Sequence, residues 1–250
     1  MTETYTLGYE QAAIAFVQRR RLDTNGAFFL PHLALGAHVL DCGCGPGTLT
    51  LDIAERIGSG TVVGVDMNQS QVELATRRAT ERQASNASFR QGSAYALPFP
   101  EASFEAVFSH ALVEHLAEPA RAVAEFRRVL KPGGWLGVCT PDWGGFLYSP
   151  ATPELLAAVQ AYQYVQTSNG GDVRAGHKLF DLLADAGFEQ VNATARYENY
   201  DPLTVITDLI GWQLEVNGFS HHGDALREWG ARPTGMFAQA WVGCVGRRPL

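Results

Sequence analysis

Between residues 38 and 140, short apolar runs rich in β-branched residues alternate with stretches of helical period. The segments "HVLDC" (38–42), "TVVGVDM" (61–67), "ASFRQG" (87–92), "FEAVFSH" (104–110) and "WLGVCTP" (135–141) have the length and composition of strands. "TLTLDIAERIG" (48–58) reads as a helix, and Asn68 is placed to cap a second one, in which Val72, Leu74, Ala75 and Ala79 form one apolar face. A third, "EPARAVAEFRRVLKPGG", carries its stripe on Ala122, Phe126, Val129 and Leu130. It opens on Pro119 and stops at Lys131-Pro132-Gly133-Gly134. Near-continuous apolar strands with helices between them imply a parallel sheet covered on both faces.

After Pro141 the pattern changes. Residues 142–171 are aromatic and punctuated by Gly and Pro, "HKLFDLLADAGF" (177–188) is helical, and residues 189–200 and 236–248 alternate as two further strands. Residues 201–235 form a helical insertion containing Trp212, Phe219, His221, His222 and Trp229. With no repeat or linker in view, the reading is one domain over 1–250. Its core is 36–141 and 177–200 plus 236–248, and a cap is drawn from 1–30, 142–176 and 201–235.

Composition narrows the function. The chain has 250 residues, 46% of them apolar, which is enough to bury a core without disulfides. Its net charge of -7 argues against non-specific attraction to nucleic acid, and the run Arg19-Arg20-Arg21 is too short to reverse that. No apolar run approaches the ~20 residues of a membrane span and no leader pattern opens the chain, so a soluble cytoplasmic protein is expected. Cys42, Cys44, Cys139 and Cys244 match no zinc spacing, and no metal is expected.

"DCGCGPG" (41–47) ends the first strand, where open α/β sheets bind ligands. Gly43, Gly45 and Gly47 permit positive φ and leave no Cβ between backbone and ligand, while the following helix N-terminus offers amides to an anion. The spacing is G-x-G-x-G, not the dinucleotide G-x-G-x-x-G, and Asp41 stands just ahead of it. A carboxylate there repels a pyrophosphate but holds an ammonium, with loop amides taking the accompanying carboxylate. Asp66, closing the second strand, suits ribose hydroxyls, and Gly92-Ser93-Ala94 suits an adenine edge. Amino acid, ribose and adenine together describe S-adenosyl-L-methionine.

In order along the chain, "VLDCGCGPG", "VVGVDMN", "GSAYALPFPEASFEAVFS" and "LVEHLAEPARAVAEFRRVLKPGG" resemble the motifs of class I S-adenosylmethionine-dependent methyltransferases. The likeness is greatest to the branch of ubiquinone and menaquinone biosynthesis and of natural-product, secondary-metabolism enzymes. It implies a doubly wound, Rossmann-like α/β fold: a mostly parallel seven-stranded sheet, an antiparallel C-terminal strand and helical cap insertions. It also makes Asp41, Gly43, Cys44, Gly45 and Gly47 the methionine-end loop, Asp66 and Met67 the ribose and adenine-face contacts, and Gly92, Ser93 and Ala94 the adenine edge. Ser93 stands where the family commonly has Asp, and His177 where it often has Arg.

The resemblance also implies that His110, at the end of the fourth strand, lies near the donor, which makes it a candidate base; His115, beside Glu114, is a second. Tyr5, Tyr9 and Arg21 are candidates to close over the donor, with Arg21 near its carboxylate. Trp143, Phe146, Tyr148 and His177 are candidates for the acceptor site, the three aromatics standing equally well as cap core. The expected activity is in-line methyl transfer to a small, apolar or aromatic acceptor at O, N, S or C. A nucleotide-dependent oxidoreductase and a non-catalytic donor-binding protein remain as alternatives. Nucleic acid is not expected as a partner, and a homodimer is one option for an oligomeric state that is left open.

Overall fold

The apolar runs of the first half lie side by side, because strands apolar on both faces are stable only with neighbours on each edge and helices above and below. The computed structural model describes residues 4–250, so the first three residues of the expected 1–30 cap segment lie outside the described residues. Its strands are β1 (His38–Cys42), β2 (Thr61–Asp66), β3 (Ala87–Gln91), β4 (Phe104–His110), β5 (Leu130–Pro141), β6 (Leu147–Ser149), β7 (Glu189–Asn199) and β8 (Met236–Arg247). They form one sheet in the order β3-β2-β1-β4-β5-β8, with β6 and β7 both on β8. The pairs β3-β2, β2-β1, β1-β4 and β4-β5 are parallel, and every pair made by β8 is antiparallel. The doubly wound sheet has the expected strands and one more, the three-residue β6, which extends the β5 side of β8.

Helices α1 (Gln11–Val17) and α2 (Leu22–Asn25) precede the sheet; α3 (Thr48–Ile57), α4 (Gln69–Glu81) and α5 (Pro119–Val129) cross between strands. Asn68 caps α4 by accepting the Ser70 amide at 2.8 Å, and Pro119 opens α5. The Lys131–Gly134 segment does end α5, but the strand already begins at Leu130. Register slips between the Phe104–Leu130 and Ala106–Trp135 pairs, and Gly133 takes φ 78°. A helix stop and a β-bulge ask for the same residues, so the pattern alone shortens this strand by five positions, from Leu130 to Trp135.

Two apolar layers sandwich the sheet. On one face Ala122, Val123 and Phe126 of α5 meet Leu179 and Leu183 of α7 (Ala175–Asp185) over Leu40, Val107, Leu136 and Val138. On the other, Phe29 and Leu33 of a 3-10 segment join Leu49, Ile53 and Ile57 of α3 over Val39, Val62 and Phe108. A third cluster belongs to the cap, formed by α6 (Pro153–Ser168), α8 (Thr204–Val216) and α9 (Ser220–Gly230) around Leu155, Tyr162, Ile210, Leu214, Leu226 and Trp229. The 201–235 insertion is thus two helices, broken at Asn217-Gly218 where Gly218 takes φ 86°. No helix of the described residues is long and apolar enough to cross a membrane.

Candidate functional site

Strand order reverses between β1 and β4, and the chain leaves these two neighbours in opposite directions at their carboxyl ends. A cavity of about 910 Å³ opens there, walled by the 41–49 loop and helix start, Val65–Asn68, Gly92–Tyr95, His110–Leu112 and the N-terminal segment from Thr4 to Arg20. That is within the ~300–1,000 Å³ of small-molecule sites.

The glycine loop is built by its conformations. Gly43, Gly45 and Gly47 have φ of 78°, 49° and 76°. A Cβ on Gly47 would meet the Ala75 Cβ at 2.8 Å, so this glycine is required by packing. A Cβ on Gly45 would touch nothing within 4 Å, so this one faces the cavity. The loop amides are not free for an anion, contrary to the expectation from sequence. Those of Gly43 and Cys44 donate to the Val65 carbonyl, Gly45 to Asp66 Oδ2 and Gly47 to the Cys44 carbonyl. A tight loop consumes its own donors, which leaves the first turn of α3, where Thr48 and Leu49 line the cavity, as the source of open amides.

Two carboxylates frame this end. Asp41, 2% exposed, lies at the cavity floor and accepts the Thr50 hydroxyl at 2.6 Å. Burial pushes its carboxyl up to about 7, against the Thr50 hydrogen bond and with help from the nearby Asp66 charge. An arriving cation would favour the ionised form. Asp66 accepts from the Gly45 amide through one oxygen and the Asn68 amide through the other, each at 2.9 Å, and so ties the loop to β2. Burial raises its carboxyl, the backbone donors opposing. Both oxygens keep lone pairs for hydroxyl donors. Met67 is exposed beside it, and Gly92, Ser93 and Ala94 complete that wall.

The opposite end holds different chemistry. His110 and His115 are buried and line the cavity, and neither ring nitrogen of His110 has a partner. Burial, reinforced by the Arg20 charge, holds His110 well below the ordinary histidine range and His115 at about 3, so both are neutral. Tyr5 packs edge-on against His115 at 4.8 Å and tilts against Tyr9 at 5.2 Å, which roofs this part. Glu114 turns away, accepting the Thr140 hydroxyl at 2.8 Å, and burial raises its carboxyl to about 7.

A methyltransferase-domain profile matches residues 39–134. Among curated proteins, demethylmenaquinone methyltransferase of Lactiplantibacillus plantarum is 32% identical over 64% of this chain and 74% of its own length. The chain belongs to the S-adenosylmethionine-dependent methyltransferase family. An uncharacterized methyltransferase of Schizosaccharomyces pombe is 35% identical over 70% of this chain and 66% of its own. Phosphoethanolamine N-methyltransferase 2 of Haemonchus contortus, solved with S-adenosyl-L-methionine, shares the fold at TM-score 0.63 and 18% identity, over 91% of this chain and 53% of that one. The chain spans 44% and 50% of two further curated relatives.

The methyltransferase cavity suits its family's donor on local grounds. It has a carboxyl at the loop end, a second carboxyl with spare acceptor capacity at the end of β2, open helix amides between them and a glycine with no Cβ in the way. Cys44 points its thiol toward Gly64, whose added Cβ would lie 2.9 Å from the sulfur, and burial raises that thiol well above its ordinary value. Such a thiol is inert. Among the described residues no group of three His, Cys, Asp or Glu is arranged to hold a metal.

Other expected site residues lie elsewhere. Arg21 is exposed, caps α2 with its backbone and does not line the cavity; Arg20, one residue earlier, does. The direction of a side chain leaving a helix end depends on where the turn stops, which a run of three arginines hides. Phe146 and Tyr148 belong to the cap core, Phe146 stacking on Trp143 at 4.3 Å and Tyr148 lying 5.1 Å from Phe237. Trp143 donates its indole N–H to Gln166 and borders a separate cavity of about 40 Å³. His177 is exposed and pairs with Asp142 at 2.7 Å; it lines neither cavity, and nor do His221 and His222. The turn at Asp142, which accepts the Gly144 amide, sends these aromatics into the cap helices. Sequence reasoning also missed Arg78, which donates to the Pro46 carbonyl at 2.9 Å and the Thr48 hydroxyl at 2.8 Å and braces the loop from α4. Nothing local in the α4 pattern marks it.

Proposed function

We propose that the chain transfers the methyl group of S-adenosylmethionine to a small acceptor, apolar or aromatic in body, at an O, N, S or C atom. The continuity of the cavity carries this reading: one space joins the Asp41–Thr48 loop and Asp66 to the neutral histidines and the apolar side of α1, so donor and acceptor can meet inside it. In the proposed arrangement Asp41, Gly43, Cys44, Gly45 and Gly47 surround the methionine end. Asp66, Met67 and Tyr9 hold the ribose and adenine face, with Gly92, Ser93 and Ala94 at the adenine edge. The donor, when bound, supplies a methyl group already activated on a sulfonium.

The chain's own task is then alignment and exclusion of water. Ala13, Ile14 and Val17 of α1 line the cavity, and α1 is held down through the Leu7 carbonyl, which accepts from Gln213 of α8. Because His110 is neutral and its ring nitrogens have no partner, it can orient an acceptor hydroxyl by accepting its hydrogen bond, and His115 is also neutral; burial of both rings opposes full proton transfer to either. The N-terminal and cap segments thus serve the core as one catalytic unit. The net charge of -7 supports a small-molecule over a nucleic-acid acceptor.

The test is transfer of a tritiated methyl group from the donor to a panel of phenols, quinols, amines and thiols. Transfer to at least one acceptor, suppressed by S-adenosylhomocysteine, is expected. Donor binding with no transfer to any class would establish a binding protein instead, and displacement of the donor by NAD would favour an oxidoreductase.

A further inference from the structure

At the end of the large cavity away from the glycine loop, Arg20 and His115 line both it and the smaller cavity. The Arg20 guanidinium lies 5.4 Å over the Trp241 ring, half-buried, and makes no ion pair among the described residues. The polar atoms around it are also unmatched. Both ring nitrogens of His110, which is 4% exposed, Nδ1 of His115 and Nε1 of Trp241 have no hydrogen-bond partner. The His110 and Trp241 rings are 4.7 Å apart, so these atoms form one group.

Leaving buried donors unpaired is costly, and a partly desolvated guanidinium without a counter-ion is more so. Glu114 does not fill that role. One oxygen takes the Thr140 hydroxyl, the other is 3.7 Å from His115, and burial favours its protonated form. What the group lacks is an acceptor with two oxygens in a plane, the shape that a guanidinium fork recognises. Arg20 borders the smaller cavity with Glu114, His115 and Trp241, whereas Asp41 and Asp66 line only the large one. Arg20 therefore sits at the acceptor end, away from the carboxylates that frame the donor.

We propose that the methyl acceptor carries a carboxylate, which pairs with Arg20 at this end of the cavity while the Trp241 N–H and the neutral imidazoles complete its hydrogen bonds. This rests on the methyltransferase reading, since it takes the glycine-loop end to be occupied by the donor. Arg20 sets the acceptor class, and the apolar α1 residues beside it receive the body of the molecule.

The experiment titrates the chain, saturated with S-adenosylhomocysteine, with 2-naphthoate and cinnamate and with their primary amides. Wild type should prefer each carboxylate over its amide by about tenfold or more, as a charge-assisted bidentate pair requires. Arg20→Gln should abolish the preference, Arg20→Lys should restore most of it, and both variants should bind S-adenosylhomocysteine within about threefold of wild type, there being no donor contact to lose. Equal binding of carboxylate and amide by wild type, binding of neither, or a preference that survives Arg20→Gln overturns the proposal. So does a tenfold or greater loss of S-adenosylhomocysteine affinity in Arg20→Gln, which would put Arg20 on the donor's own carboxylate. If wild type binds no S-adenosylhomocysteine at all, the methyltransferase reading itself fails, a result distinct from these.

Discussion

Asp66 holds its loop with two backbone hydrogen bonds and would lose both, together with any ribose contact, on truncation. Asp66→Ala is expected to weaken donor affinity by at least ~10-fold and folding stability by about 1–2 kcal/mol, read by titration and by urea unfolding. Cys44 has the opposite expectation: its thiol is buried against Gly64 and inert, so Cys44→Ala should bind the donor within a few fold of wild type. A Cys44→Ala variant that no longer binds would return thiol chemistry to the site. At this scale the sequence placed Asp41, Asp66 and His110 at strand ends, and all three line the cavity. It was uninformative for Arg20 against Arg21 and for Trp143, Phe146 and Tyr148, because pocket and core both call for aromatics, and only the turn at Asp142 decides between them.

The two glycines of the turn into α3 separate packing from ligand contact. Gly45→Ala adds a methyl into open space at φ 49°. It should cost only about 1 kcal/mol of stability while weakening donor affinity by ~10-fold or more through occlusion. Gly47→Val drives a branched side chain against Ala75 and Phe89 at φ 76° and should lower stability by at least ~2 kcal/mol. Equal thermal shifts for the two variants would contradict this division. Elements were legible from sequence because β1 to β4 and α3 to α5 each have a period and a stop of their own. The exceptions are elements defined by their partners: β6 exists only because β8 runs past β5, and the start of β5 is hidden by the bulge at Lys131–Gly134.

Across the whole molecule, four buried groups set opposing trends with pH. His110 is held low and His115 at about 3, so protonation of either favours the unfolded chain, and their contribution is lost as pH falls below ~6.5. Asp41 and Glu114 at about 7 retain protons in the folded chain, so their contribution is complete below ~4 and lost as pH rises through 7. Below ~6.5 the histidine effect therefore opposes that of the two carboxyls. Removing one imidazole in His115→Gln should unbalance them. Relative to wild type, the variant gains about 1.4 kcal/mol per pH unit on acidification below ~6.5, measured by urea unfolding at several pH values; parallel profiles would contradict the neutral state of His115. The burial that keeps the histidines neutral arises because α1, α8 and the sheet close over the carboxyl ends of β4 and β5. Isothermal titration of S-adenosylhomocysteine into wild type and Asp66→Ala tests the donor assignment most directly. Saturable one-site binding by wild type, weakened at least ~10-fold in the variant, is expected; equal affinity in both, or none in wild type, would contradict it.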